Sequence, residues 1–130
     1  MPTELLYLTL TALMTALLFF PYVLNRSMVW GLSDTVGYPA NPKPLSPWAE
    51  RAKKAHYNAV ENLVVFAAVV LVAHALNKSG GAIASAAMVY FWARLVHYLV
   101  YTFGIPWLRT LAFLVAWICC LVIIYQILWA

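Results

Sequence analysis

Apolar residues run almost unbroken through four stretches of this chain, about Leu5 to Leu24, Ala59 to Leu76, Ala82 to Phe103 and Trp107 to Trp129, and polar residues crowd the joins between them. Each stretch is close to the roughly 20 residues that cross a bilayer as a helix. The pattern predicts an all-α integral membrane protein, a bundle of four transmembrane helices at about 5–25, 47–77, 82–103 and 107–129. A membrane β-barrel would show short alternating segments instead of continuous apolar runs. The first helix is expected to end near Asn25 and Arg26, where Gly31, Gly37, Pro39, Pro42, Pro44 and Pro47 begin to break regular structure. Ser46 before Pro47 reads as an N-cap followed by a first-turn proline. The second helix, from Pro47 to about Asn77, would be roughly 45 Å long at 1.5 Å per residue. Its first turns must therefore project beyond a core of roughly 30 Å. Asn77 to Gly81 make a tight link that sets the second and third helices antiparallel, and Gly104, Ile105 and Pro106 separate the third from the fourth.

Composition agrees with this pattern. Of 130 residues, 65% are hydrophobic and 9% charged, far from the balance of a soluble domain. One compact transmembrane domain fills the length, with no room for a soluble catalytic domain. A signal peptide is a poor reading of the first run, whose leading Met-Pro-Thr-Glu has no Lys or Arg and which no small-x-small cleavage site follows. The net charge of +4 is a matter of topology, not of nucleic-acid binding. Arg26, Lys43, Arg51, Lys53 and Lys54 flank or occupy the first connection and Lys78 is alone in the second, so the first and third connections are expected to be cytoplasmic. A short chain without organelle signals suits a bacterial inner membrane. Cys119 and Cys120 are adjacent within the last apolar run and read as buried structural thiols. No Cys/His set has metal-ligand spacing, and no Gly-rich phosphate loop or Ser/His/Asp arrangement is visible.

The polar residues inside the spans carry the chemistry. Glu61 lies just before the aliphatic run Val64 to Val72, where a charge in hydrocarbon costs roughly 2.5–3.5 kcal/mol and usually meets a cavity or a partner. Arg51, Lys54, Asn58, Glu61 and Asn62 fall on one stripe of the second helix, and Tyr90, Arg94, His97 and Tyr101 on one stripe of the third. Arg109 and Thr110, in the first turn of the fourth helix, stand near the same end of the bundle. Several cations with one internal carboxylate suit a small, multiply charged anion that also carries an amine. The alternative is that Glu61 and Arg94 pair merely to neutralise one another, although buried ion pairs stabilise poorly compared with apolar packing. His97 could touch ligand or serve in packing, His74 is solitary, and His56 points away from the stripe.

At these residues the sequence resembles the MAPEG family, the membrane-associated proteins of eicosanoid and glutathione metabolism. The matching motifs are Glu50-Arg51 with Ala55-His56 and Asn58, then Glu61-Asn62-Leu63, then Arg94 with His97 and Tyr101, then Pro106 with Arg109. The resemblance implies a left-handed four-helix bundle, a homotrimer with glutathione sites between neighbouring protomers, and transferase or peroxidase chemistry on lipophilic substrates. It further implies that Arg51, Lys54, Asn58, Glu61, Arg94, His97 and Tyr101 bind glutathione as cosubstrate. Arg109 would stand nearest the sulfur, with Thr110 donating a hydrogen bond to it. Lys54 and Tyr57 depart from Arg, and Phe113 from Tyr, which weakens bidentate carboxylate capture. A non-catalytic lipid-binding or scaffold protein of the same fold therefore stays open. A small multidrug transporter fits less well, because its lone Glu would not sit beside a cationic cluster.

Overall fold

A computed structural model describes all residues, 1–130. Six helices follow one another: α1 (Thr3–Leu17), α2 (Phe20–Trp30), α3 (Leu32–Thr35), α4 (Pro47–Ala75), α5 (Gly81–Thr102) and α6 (Pro106–Leu128). Four helical stretches, with α1 and α2 counted together, are long and apolar enough to span a membrane. The chain is thus an all-α integral membrane protein built on four spans.

The first span is interrupted at Leu18 and Phe19. Pro21 has no N–H to return to the Leu17 carbonyl in the turn before it, and the adjacent Leu18 carbonyl accepts a 3.2 Å hydrogen bond from the Tyr98 hydroxyl of α5. The span also continues to Trp30 instead of ending near Asn25 and Arg26. Asn25 is buried against the start of α4, donating to Ser46 Oγ at 2.9 Å and accepting from the Ser46 amide at 3.0 Å. Arg26 stacks over the Tyr22 and Trp30 rings, 5.9 and 5.1 Å from their centroids. Two polar residues that resemble a loop are thereby held on a helix. The same contacts change the role of Ser46, which stands at the N-cap position of α4 but makes no side-chain cap bond. Its hydroxyl is taken by Asn25.

The two short links are closed by the same device. After α4, Asn77 turns left-handed with φ 58°, while Lys78 N–H bonds Ala73 O at 2.9 Å and Asn77 N–H bonds His74 O at 3.0 Å. After α5, Gly104 takes φ 77°, with Ile105 N–H on Val100 O at 2.9 Å and Gly104 N–H on Tyr101 O at 3.1 Å. Both are Schellman endings, which satisfy the last helical carbonyls. The Lys78 ammonium then reaches across to the end of α6, donating to the carbonyls of Gln126, Ile127 and Ala130 at 2.8, 3.3 and 2.7 Å. There it opposes the negative end of the helix dipole.

Between the helices, small side chains allow close approach, which matters where lipid offers no hydrophobic drive for association. Ala49, Ala52, Ala55 and Ala59 line the buried face of α4, Ala86, Ala87 and Ala93 that of α5, and Ala112 and Ala116 that of α6. Phe66 and Tyr90 stack in the middle, centroids 3.8 Å apart with planes at 10°. Cys119 and Cys120 are free thiols within this core. Glu4, in the first turn of α1, is fully buried, and its carboxylate oxygens have no partner within the chain.

Gly104 matters doubly. Beyond its positive φ, a Cβ there would stand 3.3 Å from Arg51 Cζ and Nε, whereas Gly80, with φ 74°, has open space around it. Gly80→Ala should cost about 1 kcal/mol from backbone strain alone. Gly104→Ala should cost more and displace Arg51. Thermal unfolding of the two variants in detergent checks the order.

Candidate functional site

The candidate site forms where α4, α5 and α6 meet near the α5–α6 turn. Asn58 from α4, His97 and Tyr101 from α5, and Arg109, Thr110 and Phe113 from α6 line a cavity of about 160 Å³. Helix periodicity places each contributor: His97 and Tyr101 lie one turn apart, as do Arg109 and Phe113. Pro106 opens α6 at its first helical position, so Arg109 is held at the positive end of the helix, whose first N–H groups have no intrahelical partner. The Arg109 guanidinium lies 4.6 Å from the centroid of the Tyr101 ring, and that ring meets His97 edge to face at 5.5 Å. A cation over an aromatic face is held in place while its N–H groups stay available. Thr110 Oγ donates to Pro106 O at 3.4 Å, a long bond that is readily exchanged for a better acceptor.

Arg94 stands behind this cavity, not in it. It is 1% exposed, and its Nη2 donates to Asn58 Oδ1 at 2.8 Å. Its Nε and Nη1 are buried with no partner in the chain. The pairing with Glu61 considered from the sequence is not made, since Glu61 is exposed on the outer face of α4 together with Lys54. At 3.6 residues per turn the stripe on α4 is about 100° wide. Its inner edge, Arg51, Asn58 and Asn62, turns towards the bundle, and its outer edge, Lys54 and Glu61, turns away.

Arg51 lies outside the cavity too. Its Nε donates to Thr102 O at 3.0 Å, capping the end of α5 beside Gly104. His56, read as pointing away, does so, accepting from or donating to the Tyr22 hydroxyl at 2.7 Å through Nδ1. No group of three or more His, Cys, Asp or Glu side chains is placed to hold a metal ion.

Two contributors were not singled out as site residues by sequence. Asn62 Nδ2 donates to Asn58 O at 2.8 Å and approaches Asn58 Oδ1 at 3.3 Å, a partnership that the spacing of four could have signalled. Phe113 lines the cavity wall, although it is notable in the sequence only as a departure from Tyr. The bundle therefore brings Asn58, His97, Tyr101, Arg109 and Thr110 together directly. Arg94 joins them through Asn58, and Arg51, Lys54 and Glu61 remain outside.

The MAPEG family model matches residues 5–129, nearly the whole chain. The chain belongs to the MAPEG family. Among curated proteins and among solved structures, none matches. Membership places this MAPEG protein in a group of membrane proteins of glutathione and eicosanoid metabolism whose members generally use glutathione. Its donor-rich cavity, open at the α6 N-terminus, is chemically suited to an anionic ligand.

A buried guanidinium with one bond is a poor stabiliser, and that yields a test of what Arg94 is for. Arg94→Met, similar in length and apolar, should leave stability unchanged or raise it by about 1–3 kcal/mol, measured by unfolding in detergent. A large loss of stability would show that Arg94 chiefly holds the bundle together.

Proposed function

We propose that this protein binds glutathione at the cavity between α4, α5 and α6 and presents its thiolate to a lipophilic electrophile or hydroperoxide dissolved in the bilayer. The observation that carries this reading is the unpaired Arg109 guanidinium, held over Tyr101 at the N-terminal end of α6 and facing a cavity lined by Asn58, His97 and Thr110. Glutathione supplies the nucleophilic sulfur, and the chain supplies the field that ionises it. A thiol with a pKa near 8.5 is only about 3% thiolate at pH 7, and lowering it by about two units raises that fraction to roughly three quarters. Arg109 and the α6 N-terminus favour the charged form, and the Thr110 hydroxyl can turn from Pro106 O to donate to it.

A cavity of about 160 Å³ is smaller than the roughly 300–1,000 Å³ of small-molecule sites. One protomer thus encloses part of the ligand. The rest of the wall belongs to a neighbouring copy in a homotrimer, against which the outward-facing Lys54 and Glu61 would complete the site. Glu61, exposed beside Val60, Val64 and Val65, would be costly against lipid and is well placed to receive the peptide amine. The lipophilic cosubstrate has a route as well. A wholly apolar groove of about 390 Å³ between α5 and α6 begins at Leu108, next to Arg109, and runs inward along Trp92, Val96, Leu111 and Val115. The charge bias puts the first and third connections, and with them the glutathione entrance, on the cytoplasmic side of what we take to be a bacterial inner membrane.

Arg109→Ala should lower turnover of glutathione with an aryl halide or a lipid hydroperoxide by about 100-fold or more, while light scattering shows an intact trimer. Unchanged turnover would remove Arg109 from the chemistry. Lipid binding without turnover of any electrophile would favour the non-catalytic reading.

A further inference from the structure

We infer that Arg94 and Asn62 are positioning residues that fix the polarity of the Asn58 amide, so that Asn58 offers the cavity an N–H donor and never an acceptor. This deepens the proposed function and rests on it for the identity of the ligand, but the geometry stands by itself. An asparagine amide has an acceptor end and a donor end of almost equal size. Arg94 is a donor only, and it contacts one end of the Asn58 amide at 2.8 Å. That end is necessarily Oδ1.

Asn62 reinforces the same choice through a longer contact. The backbone carbonyl of Asn58 can only accept, so the Asn62 end 2.8 Å from it is the NH₂ group. The same NH₂ stands 3.3 Å from Asn58 Oδ1. Two donors from two helices therefore face one oxygen, and turning the amide over would set N–H against N–H on both sides. Asn58 Nδ2 is left with no bond inside the chain, on a residue that lines the cavity with Arg109, Thr110, Tyr101 and His97.

Every other polar neighbour there can donate. With Asn58 locked, it and Arg109 offer the cavity donors only, which favours acceptors there: a thiolate, a carboxylate or another small anion. This also gives a use for a guanidinium buried with two nitrogens unbonded. Its charge strengthens the bond to Oδ1 and polarises the amide towards the ligand. Arg94 thus contributes without touching the ligand.

The test compares variants that keep or lose the lock. Asn58→Asp keeps an acceptor for Arg94 but exchanges the donor for a second, charged oxygen, so the unfolding midpoint should not fall while glutathione binding weakens by about tenfold or more in titration calorimetry. Arg94→Lys, still donor-only, should bind within about threefold of wild type, whereas Arg94→Gln, which can accept, should lose about tenfold. Asn58→Asp binding as tightly as wild type, or Lys and Gln at position 94 behaving alike, would overturn the inference.

A second arm does not depend on glutathione. With ¹⁵N-labelled asparagine, adding thiocyanate as a small soft anion should shift the Asn58 NH₂ signal saturably in wild type and in Arg94→Lys but not in Arg94→Gln. Failure of glutathione to bind wild type would sink the proposed function while this arm still judged the inference. The absence of any saturable Asn58 shift would sink the inference itself.

Discussion

A guanidinium inside a bilayer must be given hydrogen bonds or a counter-charge, and Arg94 donates one strong bond, to Asn58 Oδ1. The site follows from that contact. It is compatible with a single rotation of α4 against α5, because Asn58 reaches Arg94 with the alanine face of α4 turned inward. It also places Asn58 at the cavity wall, one helix away from the α6 N-terminus that carries Arg109. Polar specification and apolar packing thus agree on a single arrangement, as expected of a sequence that encodes one structure.

The α5–α6 turn joins stability to chemistry. Its Schellman ending at Gly104 satisfies the last carbonyls of α5 while leaving space for Arg51 to cap Thr102. Pro106 then starts α6 at once, which brings Arg109 back over Tyr101, the residue whose carbonyl the turn has just bonded. A cation is held at a helix N-terminus, where it would ordinarily be disfavoured, by the aromatic face beneath it. Such an arrangement is worth its cost where an anion is to be bound.

Much of this was legible in the sequence. The four spans follow from hydropathy, and Asn58, His97, Tyr101, Arg109 and Thr110 follow from helical spacing and the resemblance to MAPEG proteins. Finer placement was not legible, for identifiable reasons. Periodicity puts Lys54 and Glu61 on the same stripe as Asn58 but cannot say which edge of so wide a stripe turns inward. Asn25 and Arg26 resemble the start of a loop, yet Ser46 and two aromatic rings hold them on a helix. Ser46 resembles a cap, yet its hydroxyl is claimed by a residue 21 positions away. For Asn25 and Ser46 a long-range partner outweighed a local preference. Glu4 gave no signal at all, since one acidic residue at a helix start is ordinary, and only the packed bundle shows it fully buried.

The central claim is that the donor-lined cavity captures glutathione as its thiolate, and proton release on binding measures this most directly. Glutathione would be titrated calorimetrically into the detergent-solubilised protein at pH 7 in buffers of differing ionisation enthalpy. A bound thiol shifted by about two units should release roughly 0.7 proton per site, with the release lost in Arg109→Ala. Binding without proton release, equal in wild type and variant, would contradict the claim.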